Sequence, residues 1–253
     1  MRIVSWNVNS IRARENRVLN WLDQERPDVL CLQELKCTEE QFPFDGFDAL
    51  GYEVAMQGQK TYNGVAILSL EPIEEVETGL PWPDDAAARG IAGTIAGVRV
   101  VNLYVPNGSA VDSDKYDYKL AWLDQLARWL GAQDRAGELV ACGDYNIAPA
   151  DIDCSEPERW AGGVLVSDPE RERFRGLLSL GLHDALRALR PDTREWTWWD
   201  FKTSMFERGE GLRIDHHLVT ERLLARCEDV VIDVAERAGD KPSDHAPVTL
   251  VLG

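Results

Sequence analysis

Seven residues near the C-terminus, Lys241-Pro242-Ser243-Asp244-His245-Ala246-Pro247, set a carboxylate beside an imidazole where a loop enters the apolar run Val248–Leu252. Alone, such a pair reads equally well as an exposed loop. The pattern recurs, however: Ile3-Val4-Ser5-Trp6-Asn7 ends on Asn7, and Val29-Leu30-Cys31-Leu32-Gln33-Glu34 ends on Glu34. Leu139-Val140-Ala141-Cys142-Gly143-Asp144-Tyr145-Asn146 ends on Asp144 and Asn146, and Val101-Asn102-Leu103-Tyr104-Val105-Pro106-Asn107 and Leu212-Arg213-Ile214-Asp215 repeat the motif. Acid and amide side chains gathered at strand mouths around one cleft are the usual layout of an active site on an α/β scaffold.

Each residue type has a chemical use and a plainer one. Glu34 follows a mostly apolar stretch, so its carboxylate needs a partner, because a bare buried charge is too costly. The partner is either Lys36 or an arginine, or a hard divalent cation, Mg²⁺ or Mn²⁺, completed by water and a substrate phosphate. Asp144 and Asn146 fall on one side if their strand persists. Beyond a simple Asx-turn, that aspartate could orient or deprotonate a water while the amide donates to a non-bridging phosphate oxygen, the pairing phosphodiester hydrolysis needs. His245 requires an orienting acid to act in catalysis, and Asp215 is the best distant candidate. No serine or cysteine occupies a nucleophile elbow, so water is the expected nucleophile. His216 and His217 are adjacent, hence on opposite strand faces, and without HxxxH or CxxC they read as ordinary strand residues. Tyr104 and Asn107 offer hydrogen bonds to phosphate, although Asn107 after Pro106 also suits a turn. Glu195-Trp196-Thr197-Trp198-Trp199-Asp200-Phe201 concentrates aromatics that could stack on a base or sugar, or simply pack.

Strands must carry these groups to one rim. Strands are predicted over residues 2–8, 28–33, 52–56, 64–70, 73–78, 91–96, 98–105, 139–142, 196–201, 212–219, 226–234 and 248–252, from alternation and β-branched runs. Helices are predicted over 12–25, 113–130 with Ser113 or Asp114 as N-cap, and 168–180. Helices flanking two runs of strands are best satisfied by an α/β fold, a four-layer α/β/β/α sandwich of two packed mixed or antiparallel sheets. With 253 residues, 44% of them hydrophobic, and no linker-like segment, one domain spanning 1–253 is expected.

Five cysteines without a CxxC pair argue against a disulfide framework and for a reduced, cytoplasmic setting. No stretch reads as a signal segment or a membrane span, so no membrane partner is expected. The net charge of -17 lowers the expectation of a nucleic-acid partner, yet binding depends on local field. Arg12, Arg14, Lys36, Lys60, Arg89, Lys115, Lys119, Lys202, Arg208, Arg213 and Lys241 are candidate phosphate contacts in loops.

Taken in order, Ser5-Trp6-Asn7-Val8-Asn9, Leu32-Gln33-Glu34-Leu35-Lys36, Asn63-Gly64-Val65-Ala66-Ile67-Leu68-Ser69, Asn102-Leu103-Tyr104-Val105-Pro106-Asn107, Gly143-Asp144-Tyr145-Asn146-Ile147-Ala148-Pro149, Gly211-Leu212-Arg213-Ile214-Asp215 and Lys241-Pro242-Ser243-Asp244-His245-Ala246-Pro247 resemble the exonuclease III family. These are Mg²⁺-dependent abasic-site endonucleases of the endonuclease/exonuclease/phosphatase superfamily. The resemblance runs from Ser5 to Pro247 and implies a metal sphere drawn from Asn7, Glu34, Asp144, Asn146, Asp244 and His245. It implies catalytic roles for Tyr104, Asp144, Asn146, Asp215, Asp244 and His245, with Asp144 handling the water or the leaving oxygen, Asn146 and His245 holding the phosphate, and Asp215 orienting His245. Asn107 and Tyr104 would contact phosphate, Trp198 would wall the abasic sugar, and Arg89 and Lys119 match DNA-contacting positions. His216 departs from the family pattern, where an apolar or aromatic residue is common, and would alter the pocket wall.

The reading is therefore a Mg²⁺-dependent hydrolase, with Mn²⁺ able to substitute, that cuts duplex DNA 5′ to abasic sites and trims 3′ ends. It is expected to be a monomer, in the cytoplasm and at the nucleoid if the source is prokaryotic. A phosphatase or phosphodiesterase on a small or lipid phosphate is the rival within enzymes. A non-catalytic RNA-binding regulator on the same fold is the rival from another class, and it should have lost a metal or water ligand.

Overall fold

The computed structural model describes residues 1–82 and 84–253. Strands β1 (Arg2–Asn7) and β2 (Val29–Gln33) pair in parallel and are joined through helix α1 (Ile11–Glu25). A second parallel pair, β7 (Val98–Tyr104) and β8 (Leu139–Asp144), is joined through α3 (Asp114–Ala132), whose first turn is capped by the Ser113 side chain accepting from Tyr116 N. Antiparallel strands extend each pair. The first sheet runs β11 (Cys227–Ile232), β12 (Val248–Leu252), β1, β2, β4 (Val65–Ser69), β3 (Glu53–Gln57). The second runs β5 (Glu74–Thr78), β6 (Gly90–Ile95), β7, β8, β10 (Asp215–Thr220), β9 (Leu182–Asp184).

Alternation along the strands builds the layers. Ile3, Cys31, Ile67, Val100, Val140, Cys142, Val219 and Leu250 turn inward and form the core between the sheets. Val4, Trp6, Leu30 and Leu32 turn outward onto Val18, Trp21 and Leu22 of α1. Val101, Ala141 and Leu218 turn outward onto Trp122, Leu123 and Leu126 of α3 and onto Phe174 and Leu177 of α5 (Asp168–Leu178). The four-layer α/β/β/α sandwich expected from the pattern is the fold observed.

Register then aligns the rim. Tyr104 pairs with Asp144, Asp144 with Asp215, and Asn7 with Gln33 next to Glu34. Gly143 permits this crossing: its φ is +143°, and an added Cβ would meet the Leu103 carbonyl oxygen at 1.9 Å. A substitution there would push apart the two strands that carry Tyr104 and Asp144.

Residues 196–201 are not a strand. Only Trp198 makes bridges, to Leu212 on one side and His245 on the other. The hydroxyl of Thr197 instead accepts from the backbone N–H groups of Ile214 and Asp215, at 3.0 and 3.1 Å, so a side chain replaces the ladder and β10 begins only at Asp215. The short elements α2 (Phe44–Ala49), α4 (Pro157–Trp160), α6 (Ala185–Leu189), α7 (Glu221–Leu224) and β9 were not expected from the sequence. Among the described residues, no helix is long and apolar enough to cross a membrane.

Candidate active site

The ends of β1, β8 and β10 and the loops after β2, after β7 and before β12 meet at one rim. The amide of Asn7 is its hub. Nδ2 donates to Glu34 Oε1 and to Asp144 Oδ2, both at 2.9 Å, while Oδ1 accepts from Asn9 N. Glu34 sits in the left-handed region, φ +55°, which turns its side chain off the strand line; its other oxygen pairs with Lys36 Nζ at 2.7 Å. Of the partners anticipated for Glu34, Lys36 is the one in place on its carboxylate. Asn9, a residue the sequence reading gave no role, receives Lys36 Nζ on Oδ1 and donates from Nδ2 to Asp244 Oδ1 at 2.9 Å. Its alternation with Asn7 was the available signal.

Asp144 is fully buried and crowded by polar groups. Oδ1 accepts from Asn146 N at 2.8 Å, and Oδ2 accepts from Asn7 Nδ2 and from Asn146 Nδ2 at 3.2 Å. His245 Nε2 lies 3.7 Å from the same Oδ2, and its Nδ1 lies 2.9 Å from Asp215 Oδ2. The ligating atoms of Asp144, Asp215 and His245 lie within 4.8 Å of one another. Burial pushes Asp144 up to about 7, with the Asp215 charge adding and the His245 charge opposing. Burial would lower His245, but the Asp215 and Asp144 carboxylates outweigh it and raise the imidazole to about 10. Near neutral pH the site thus holds an imidazolium beside a carboxylate poised to exchange a proton.

Asn146 departs from the expected strand by adopting φ +50°, and this turn still points its amide at Asp144. Both of its amide hydrogens are engaged, on Asp144 Oδ2 and on Val105 O at 3.0 Å. Asn107 Nδ2 donates to Asn146 Oδ1 at 2.9 Å, and among the described residues its second hydrogen has no acceptor. In this arrangement Asn107 holds the free donor and Asn146 braces Asp144. Tyr104 stands beside Glu34 and Asp144; burial, then those two charges, hold its hydroxyl protonated well above the ordinary range. Arg89 stacks on the Tyr104 ring, 4.8 Å from its centroid, and stays partly exposed.

Trp198 forms one wall. Its Nε1 donates to Asp244 Oδ2 at 3.0 Å, its ring lies 6.5 Å from that of His245, and Trp160 meets it edge-on at 6.1 Å. Against burial, the His245 charge and the hydrogen bonds from Trp198 and Asn9 hold Asp244 below the usual carboxylate range.

Three expectations are corrected. Lys119 is not at the surface: it is fully buried and pairs with Glu170 at 2.5 Å, because the loop carrying Asn107 folds over it. Arg213 is likewise buried, held by Asp153 and Asp184 at 2.7 Å each, so it offers no phosphate contact. His216 faces away from the rim, packing on Tyr145 and Phe174, and accepts from Arg213 on Nδ1 while Nε2–H donates to Ile147 O. It cannot alter the pocket wall.

The acids and imidazole close enough to share a cation are Asp144, Asp215 and His245. Glu34 and Asp244 reach the same rim through Asn7 and Asn9, adding carboxylate oxygens of the kind a hard divalent ion takes. Lys36 neutralises Glu34 and the Asn7 amide donates to its other oxygen. Asn7 as a ligand requires its amide turned to present Oδ1.

The Endonuclease/Exonuclease/phosphatase family pattern matches residues 4–245. The chain is 34% identical to the exodeoxyribonuclease III of Haemophilus influenzae, over 98% of each chain. Among solved structures it is similar to a 3′ phosphatase, NExo, from Neisseria bound to a product DNA hairpin, with 45% identity, coverage of 100% of this chain and 99% of that one, and a TM-score of 0.98. It is also similar to an AP endonuclease from Archaeoglobus fulgidus, with 40% identity, the same coverage and a TM-score of 0.96.

Proposed function

Because the chain belongs to the endonuclease/exonuclease/phosphatase family, we propose that its rim performs DNA-repair phosphodiester hydrolysis, cutting duplex DNA 5′ to abasic sites and removing nucleotides or blocking groups from 3′ ends. The observation that carries this reading is geometric: His245 Nε2 stands 3.7 Å from Asp144 Oδ2 while Asp215 Oδ2 holds its Nδ1 at 2.9 Å, an arrangement that favours imidazolium beside a carboxyl raised by burial. Asp144 takes a proton from the attacking water and His245 donates to the phosphate oxygen that gains charge. Asn107 supplies a neutral donor to the same phosphate, and Tyr104, kept protonated, supplies another.

A divalent cation, Mg²⁺ with Mn²⁺ able to replace it, would be held by Glu34 with help from Asp244, Asp144 and a turned Asn7. Such an ion neutralises phosphate charge and stabilises the leaving oxygen. Trp198 walls the place of the sugar, and an abasic nucleotide is the cheapest to extrude because no base must unstack. Duplex DNA is the proposed partner, with Arg89 beside the path of the backbone.

The test is a duplex carrying one tetrahydrofuran abasic analogue and a second with a recessed 3′-phosphate, each incubated with Mg²⁺ or with EDTA. Incision 5′ to the analogue and release of phosphate, both needing Mg²⁺, are expected. Turnover confined to small phosphodiesters, or tight RNA binding without turnover, would refute the reading.

A further inference from the structure

Lys119 Nζ makes three bonds and an ammonium has three protons. It donates to Asn146 O at 2.6 Å, to Asn107 O at 3.1 Å and to Glu170 Oε1 at 2.5 Å. The first two acceptors are the backbone carbonyls of the two residues whose side-chain amides join at the rim. Asn146 is a non-glycine residue at φ +50°, a conformation asparagine tolerates and that the Lys119 bond to its carbonyl helps to fix. The loop above is as tight: a Cβ on Gly108, itself at φ +90°, would lie 3.1 Å from Lys119 Cδ.

Glu170 is anchored in turn. Oε1 also accepts from Leu165 N at 3.1 Å, and Oε2 accepts from Ser167 N at 3.0 Å and Ser167 Oγ at 2.6 Å, at the start of α5. The ammonium therefore has a fixed seat rather than a flexible one, and a buried pair of this kind need not add stability.

We propose that Lys119, seated by Glu170, is a positioning pair for the hydrolysis proposed above: it pins the Asn107 and Asn146 backbones so that their amides meet Asp144 and the phosphate in register. It touches neither DNA nor cation. The inference rests on the proposed hydrolysis for its kinetic readout only.

The test compares wild type with Lys119→Met/Glu170→Met, which removes both charges together, and with Glu170→Gln, which keeps the lysine and most of the anchor. Three quantities are measured: kcat and KM on the tetrahydrofuran duplex, Kd for that duplex in EDTA across a salt series, and the side-chain amide NMR signals of Asn107 and Asn146. The expected result is a fall in kcat of roughly 100-fold in the double variant, the scale of an ångström misplacement, and a smaller fall in Glu170→Gln. Kd and its salt slope should stay at wild-type values while both amide signals shift. A weaker Kd with a salt slope reduced by about 1 would mean a phosphate contact and overturn the inference. Unchanged kcat and unchanged amide signals with only a lower Tm would mean a merely structural pair and overturn it too. Should wild type itself not cleave, the hydrolysis reading fails, and the amide signals still decide whether the clamp exists.

Discussion

His245 Nδ1 lies 2.9 Å from Asp215 Oδ2, and that contact turns the opposite ring nitrogen to within 3.7 Å of Asp144 Oδ2. One carboxylate thus fixes both the orientation and the charge of the imidazole that faces the other.

The pH profile follows. Below about 7 Asp144 is protonated and cannot accept from water; above about 10 His245 loses its proton. With Mg²⁺ bound, the ion's charge draws the first value lower, so kcat/KM should rise below pH 7 and fall on the alkaline side as His245 deprotonates, as properties of the coupled pair. In Asp215→Asn the alkaline limb should move by more than a unit toward ordinary histidine values, because the largest raising charge is gone. An unmoved limb would sink the assignment.

Trp198 should act through both its ring and its N–H. Trp198→Phe keeps a wall but frees Asp244 Oδ2 from its 3.0 Å bond, and should lower kcat several-fold with little change in KM. Trp198→Ala should in addition raise KM about 10-fold for the abasic duplex, the scale of losing roughly 50 Å² of apolar contact with the sugar. Steady-state kinetics on the two variants separate the effects.

Most of the fold was legible because long, strongly patterned segments dominate it: β1, β2 and β8 are apolar runs ending at polar groups, β12 is an apolar run entered from them, and α1, α3 and α5 carry clear stripes. The short α2 and α6 present too few turns to show a period. Asp215 as the partner of His245 was legible from strand alternation, whereas the burial of Lys119 was not. Its partners lie 12, 27 and 51 residues away, and two are backbone carbonyls, which side-chain types do not reveal. Arg213 misled for the same reason: its acids, Asp153 and Asp184, are 60 and 29 residues distant.

Acid should weaken the fold through His216 and His217. Burial lowers both to about 4, so between pH 6.5 and 4 the unfolded chain binds protons that the native chain refuses. Stability therefore falls as pH drops through that window, by about 3 kcal/mol per ring at full effect. Asp184, lowered to about 2 by Arg213 and His216 against burial, adds stability above the ordinary carboxylate value that is lost as pH falls through about 2. Urea melts between pH 7 and 4 check the window; flat midpoints would contradict it.

Arg213→Met should destabilise the chain by roughly 3–5 kcal/mol, since Asp184 would be left buried without its arginine while Asp153 would keep only Arg187. DNA affinity in EDTA should keep its salt slope. A reduced slope would mean that Arg213 reaches phosphate after all.

The most direct test of the account is single-turnover incision of the abasic duplex by Asp144→Asn, with Mg²⁺ present. The variant keeps the shape and, with its single amide oxygen in place of Oδ1, the bond from Asn146 N, but it loses the acceptor for Asn7 and cannot take a proton. Incision should fall by about 10³-fold or more, on the scale of general-base removal, with Kd for the duplex within a few-fold of wild type. An incision rate near wild type would contradict Asp144 as the group that activates water.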